Sequence, residues 1–170
     1  MKPSLTDILC TRCGLCCDAS LFADVELAGT EEAAALEVMG LEIEDDEDDR
    51  GLLLQPCGAL SGRGCAIYLH RPDCCRSFEC RLLQRVKRGV LSVDQAREKI
   101  AEATRRIEQV RRLVDQLSGN HDPLPLKERC AEALAGSAEG RGTSLQVRKR
   151  RELEIGMARV EQSIQRTFLG

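Results

Sequence analysis

Residues 10–17 read CTRCGLCC, so four of eight consecutive positions are thiols, and nine of the chain's ten cysteines fall between Cys10 and Cys80. A lone cysteine is a small buried hydrophobe, which suits Cys130, but nine within one short stretch need another explanation. The N-terminus MKPSLTDILC has no apolar stretch of the secretory kind. No run is long and apolar enough to span a bilayer. The expected location is therefore the cytoplasm, where thiols stay reduced and clustered cysteines bind metal or do redox chemistry rather than pair as disulfides.

Thiolates are soft ligands that select zinc, copper(I) or iron–sulfur clusters. The spacing Cys10-x2-Cys13-x2-Cys16 lets three sulfurs turn around one centre, and it begins a ferredoxin-type run whose fourth cysteine comes from elsewhere. Two-residue spacings also serve zinc. Adjacent cysteines in an extended stretch point to opposite faces, so Cys16 and Cys17 need not serve the same atom, and the same holds for Cys74 and Cys75. The second group, Cys57, Cys65, Cys74, Cys75 and Cys80, would tie the opening loop to the 57–80 region. Such stapling replaces core that a chain with 2% aromatics and no Trp builds with difficulty, and metal binding then contributes to folding. His70 lies inside the cysteine region and reads as a surface or supporting residue. With His121 it completes a set of two, too few for a histidine-rich catalytic zinc site.

Charge divides the chain. Residues 1–80 carry 6 Lys+Arg against 16 Asp+Glu, and residues 81–170 carry 19 against 12. The acidic half does not suit nucleic acid. The basic run VRKRRE at 147–152 reads as a solvated helix face rather than a nucleic-acid site. Seven acids at 42–49 read as a solvated loop, since they lack the spaced ligands and central glycine of a calcium loop. Arg12, Arg63, Arg71 and Arg76 sit among the cysteines, where hydrogen bonds to sulfur would offset the excess negative charge of a thiolate site.

The expected fold is mainly α: an irregular cysteine-caged metal domain with short helices over residues 1–90, then a helical hairpin or coiled-coil tail over 91–170. TEEAAALEVMG reads as a short helix with Thr30 as N-cap and Gly40 as its stop. LLLQP reads as an extended segment ended by Pro56. From Val93 to Leu117 apolar residues recur at 93, 96, 100, 103, 107, 110, 114 and 117, a heptad seam preceded by a Ser92/Gln95 capping box and followed by Gly119. A shorter helix is expected from Leu126 to about Ala135, and another carries Leu153, Met157, Val160 and Ile164 on one face, with Phe168 one turn on and Gly156 weakening it. Antiparallel pairing of this helix with 92–118 buries both seams, and homodimerisation through 92–118 is the alternative.

CTRCGLCC followed by PCGALSGRGCAIYLHRPDCCRSFEC resembles the CxxCxxCC family of zinc- or iron-chelating domains, also called YkgJ-like cysteine-cluster proteins. The resemblance covers about residues 10–80. It implies metal binding by Cys10, Cys13, Cys16, Cys17, Cys57, Cys65, Cys75 and Cys80, with Tyr68, Arg71, Pro72, Arg76 and Phe78 on accompanying positions. Cys74 is extra to the pattern. The motif also occurs in a flagellin lysine methylase for which an iron–sulfur cluster has been implicated, and this favours a four-iron cluster over zinc. Eight thiolates would make two zinc sites, one cluster with a zinc site, or one cluster with thiols left over. Three functions follow: a metal or iron–sulfur protein in electron transfer, metal handling or sensing; a structural-zinc module whose C-terminal helices bind a protein partner; and a cluster-dependent transferase, for which no nucleophile–base pair can be placed.

Overall fold

The computed structural model describes residues 4–45, 50–119, 124–135 and 143–170. The end of the acidic run, His121 and the glycine-rich linker at 136–142 lie outside the described residues. The chain is mainly α, as expected from its pattern. In order it forms α1 (Leu5–Leu9), β1 (Asp24–Glu26), α2 (Thr30–Val38), β2 (Ile43–Glu44), β3 (Leu52–Leu54), β4 (Leu60–Ser61), β5 (Gly64–Cys65), α3 (Asp73–Ser77), α4 (Arg81–Lys87), α5 (Val93–Ser118), α6 (Leu126–Ala135) and α7 (Ser144–Ile164). A π-helical turn, Gln165–Leu169, prolongs α7.

The long helix starts and stops where its sequence says. The Ser92 hydroxyl accepts the Gln95 N–H at 3.1 Å, and the Gln95 side chain accepts the Ser92 N–H at 2.9 Å. Gly119 closes α5 in the left-handed conformation. In α2 the expected N-cap shifts by one: Gly29 caps, and Thr30 is the first helical residue. Leu52–Leu54 is the central strand of a three-stranded antiparallel sheet, between β1 and β2.

Two cores form. The first joins Leu9, Leu82 and Leu83 to the seam of α5 (Ala103, Ile107, Val110, Val114) and to Leu153, Val160, Ile164 and Phe168. Each fully buried large aliphatic or aromatic side chain there contributes roughly 1.5–3 kcal/mol. α7 runs antiparallel to α5: Gly156 lies against Val110, while the C-terminal turn reaches α4, just before α5 begins. Gly156 therefore has a packing reason, since a Cβ there would stand 3.2 Å from the Val110 side chain. The α5 seam is covered by α6 and α7 of the same chain. The second core is smaller and gathers Leu27, Leu36, Leu41, Leu53 and Ala59 under the sheet and α2.

Arginines fasten the loops of the N-terminal half to α5. Arg63, at the tip of the β4–β5 hairpin, donates to the Thr104 hydroxyl at 2.6 Å and to Glu108 at 2.9 Å. Arg111 donates to Asp18 through both the backbone carbonyl (3.0 Å) and the carboxylate (3.1 Å).

Candidate metal centre

The opening cysteines sit where α1 ends. α1 carries its own capping box, Ser4 with Asp7, and passes into a single 3-10 turn, Cys10–Arg12. Gly14 then takes φ +71°, and a Cβ there would meet the Arg63 carbonyl at 3.2 Å. Only glycine allows both the backbone turn and the close approach of the hairpin tip. Cys16 and Cys17 follow in a run of turns, with the Cys17 N–H bonded to the Gly14 carbonyl.

The distant cysteines are brought to this loop by five contacts. The Cys57 N–H donates to the Cys17 carbonyl at 2.8 Å. The Tyr68 hydroxyl donates to Asp7 at 2.8 Å, and Arg71 lies over the Tyr68 ring at 3.6 Å from its centroid. Glu32 of α2 accepts the Asp73 N–H at 2.8 Å and so fixes the start of α3, which carries Cys74 and Cys75. Phe22 and Phe78 meet edge to face at 5.1 Å just before Cys80. All nine of these thiols are half-buried, and Cys130 is fully buried in the first core.

The thiols fall into two neighbourhoods. Cys10, Cys13 and Cys80 pack against the first core, and Cys57, Cys65 and Cys74 against the second. Ionisation follows the same division, except that Cys16 and Cys17 act on each other. Burial and then the neighbouring Cys80 push Cys10 up to about 11. Burial pushes Cys13 up to about 12, with Cys80 and Cys10 adding to it. Cys16 rises further, through burial and then Cys13, Cys17, Cys80 and Cys10. Cys17 is pushed up to about 12 by burial and then by Cys57 and Cys65. Burial raises Cys57 too, and Cys65 adds to it. Cys75 is raised by its contact with Cys74, then by burial, Cys17 and Cys57. Cys10, Cys13 and Cys80 are thus neighbours of one another and of Cys16, and Cys17, Cys57, Cys65 and Cys75 are neighbours of one another, while the adjacent pair Cys16 and Cys17 links the two sets. Cys74 stands 4.0 Å from Cys75, sulfur to sulfur, with its side chain in the second core.

Backbone amides already face several sulfurs. The Leu15 N–H opposes the rise at Cys13, and the Ala59 N–H does so at Cys57. Cys80 is the N-cap of α4, its sulfur accepting the Leu83 N–H at 3.5 Å. Such N–H groups stabilise negative charge on sulfur. Among the described residues no three His, Cys, Asp or Glu side chains stand close enough to hold a metal ion as they are. The thiols are neighbours rather than a closed shell. Neutral thiols have nothing to draw them together, whereas a cation would offset both the burial and the mutual repulsion that oppose their ionisation. The donor set, all sulfur and aided by amides, fits zinc or an iron–sulfur cluster.

The arginines expected to neutralise sulfur divide by role. Arg71 does so: its charge lowers both Cys10 and Cys17. Arg76 pairs with Asp73 at 2.8 Å, and Arg63 is taken up by α5. Arg12 turns to a groove beside α5. His70 is exposed at the end of a 3-10 turn, away from the ligand role. The bond between Tyr68 and Asp7 was not foreseen, because the partners are 61 residues apart.

No helix among the described residues is long and apolar enough to cross a membrane. No curated protein and no solved structure matches the chain. The pattern of the family CxxCxxCC, described as a putative zinc- or iron-chelating domain, matches residues 9–106, from the last residue of α1 to the middle of α5. With more than half its length matched, the chain belongs to the CxxCxxCC family of zinc- or iron-chelating domains.

Proposed function

We propose that the chain holds metal in two four-cysteine centres, one from Cys10, Cys13, Cys16 and Cys80, the other from Cys17, Cys57, Cys65 and Cys75. The observation that supports this reading is that Cys10, Cys13 and Cys80 pack on one core and Cys57 and Cys65 on the other, with Cys16 nearest in charge to Cys13 and Cys17 nearest to Cys57 and Cys65. For the first quartet we favour a four-iron cluster, because two-residue spacings completed by a distant cysteine are the ferredoxin-type arrangement. When bound, such a cluster takes up and releases single electrons, whereas zinc cross-links the chain without redox change. The protein's part is to present the sulfurs, point amides at them, and set Arg71 near both quartets. Electron transfer, metal handling or sensing in a reducing compartment is the role this supports.

A second reading is favoured by the two cores, each of which has cysteines packed against it. Zinc in both quartets would staple them, leaving the outer faces of α5 and α7 for a protein partner. Elemental analysis of protein purified without oxygen, with an absorption spectrum, decides between them. Iron with acid-labile sulfide and a broad visible band supports the cluster. About two zinc ions per chain and no colour supports the staple. Absence of both metals, with the thiols paired, would sink the two-centre reading.

A further inference from the structure

Beside the thiol quartets, and lined by none of the ten cysteines, a groove of about 450 Å³ lies between α1 with its following turn and the exposed flank of α5. Its floor is apolar, from Ile8, Leu9 and Ile100. Four guanidinium groups line it: Arg12 and Arg63 from the loop side, Arg97 and Arg105 from the helix. Arg97 and Arg105 are eight residues apart on one helix flank, about 12 Å along its axis, so the positive charge runs the length of the groove.

These cations are poorly answered from within the chain. Glu108 is the single carboxylate in the lining, and it is held by Arg63. Arg97 reaches back to Asp94, a highly exposed carboxylate, at 3.2 Å. Arg12 and Arg105 have no carboxylate partner among the described residues. Yet Arg12 and Arg63 belong to the half of the chain in which acids outnumber bases 16 to 6. Facing like charges across a groove is unfavourable unless an anion lies between them.

We infer that this groove binds a multiply charged organic anion of the phosphate-ester class. With Arg63 on Glu108 and Arg97 on Asp94, Arg12 and Arg105 leave a surplus of two positive charges that a single carboxylate ligand would not neutralise, whereas a phosphate monoester carries about −1.5 to −2. The planar fork of arginine matches phosphate oxygens two at a time. The apolar floor takes the organic body, and the volume lies in the range of small-molecule sites, about 300–1,000 Å³.

The test is calorimetric titration of the full-length, metal-loaded protein at about 0.15 M salt, where loose surface attraction is screened. The probes are adenosine diphosphate and inorganic pyrophosphate. The expected result is saturable one-to-one binding of adenosine diphosphate, weakened about tenfold by Arg12→Ala and by Arg105→Ala, since each removes a charge-assisted hydrogen bond. Arg148→Ala, on α7, should leave binding unchanged. Because Arg12 stands between Cys10 and Cys13, metal content is measured on each variant; if Arg12→Ala loses metal, Arg105→Ala carries the test. The inference is overturned if neither probe saturates, or if Arg105→Ala binds like the parent. Saturation by a poly-glutamate peptide but by neither phosphate would also overturn it, and would give the groove to an acidic protein.

Discussion

The Cys57 N–H donates to the Cys17 carbonyl at 2.8 Å, with the Gln55 side-chain oxygen sharing the same N–H at 3.1 Å. This bond carries the 57–65 segment to the second half of the adjacent Cys16–Cys17 pair. Cys80, by contrast, is delivered by α4, which packs on α1 beside Cys10. Two separate routes of chain thus serve two neighbouring residues, which gives the proposed partition an experimental signature. Cys80→Ser should remove the metal of one centre and leave the other; Cys65→Ser should do the reverse. Measured by elemental analysis, each single variant keeps the metal of one centre alone, and the double variant keeps almost none. Loss of all metal in either single variant would contradict two independent centres.

Gly14 joins backbone conformation to tertiary approach, and that makes its replacement costly. At φ +71° an alanine is strained by about 1 kcal/mol, and its Cβ would also press on the Arg63 carbonyl. Gly62, at φ +62° with open space around it, carries the backbone strain alone. Gly14→Ala should therefore destabilise by about 2–3 kcal/mol and Gly62→Ala by about 1 kcal/mol in urea unfolding. Equal costs would mean that the hairpin tip yields freely.

Much of this was legible in the chain. The capping box at Ser92, the heptad to Leu117 and the stop at Gly119 are local signals, and α5 follows them residue by residue. The cysteine motif is equally local. The approach of its distant parts is not, because spacing cannot say that Cys80 returns to the side of Cys10 while Cys65 comes near Cys17; helix packing and strand pairing decide that. The strands Asp24–Glu26 and Ile43–Glu44 are too short for alternation to register, and both carry acids. The groove arginines Arg97 and Arg105 lie on a helix whose charges are of both signs. Their shared flank, eight residues apart, was readable, but Arg12 and Arg63 join them only through the fold.

The Arg63–Thr104 bond spans 41 residues and ends on the hydroxyl of a residue that is 7% exposed, so its loss leaves that hydroxyl without this partner. Arg63 itself is partly solvated and keeps Glu108, which limits the effect. A double-mutant cycle with Arg63→Ala and Thr104→Val should give a coupling of about 0.5–1.5 kcal/mol in chemical unfolding. Additive single costs would show that the hairpin is held to α5 by Glu108 alone.

Gly156 faces Val110, which is 1% exposed, at the crossing of α7 and α5. Helix propensity favours replacing a mid-helix glycine, by up to about 1 kcal/mol for alanine. Crowding works against it, and grows with side-chain size. Gly156→Leu should lower stability by about 1–3 kcal/mol, since a well-packed core resists added methylenes. A thermal melt reads this directly, and a leucine variant as stable as the parent would mean the two helices separate without cost.

Cys130 provides a pH test outside the thiol quartets. It is buried between α5, α6 and α7, and burial raises its thiol from the ordinary value of 9.0 to about 11. The neutral thiol is therefore the form the fold tolerates. Below pH 9 both folded and unfolded chains hold the proton, and its contribution is fully present. Between about 9 and 11 the unfolded chain loses the proton while the folded chain keeps it, so stability falls by at most about 1.4 kcal/mol per pH unit. Cys130→Val removes the titrating group at similar volume. Urea unfolding at pH 8, 9.5 and 10.5 should show the parent losing more stability than the variant as pH rises, while contributions from the other cysteines cancel in the difference. Parallel pH profiles would place the Cys130 thiol in contact with water, contrary to its burial among the three helices.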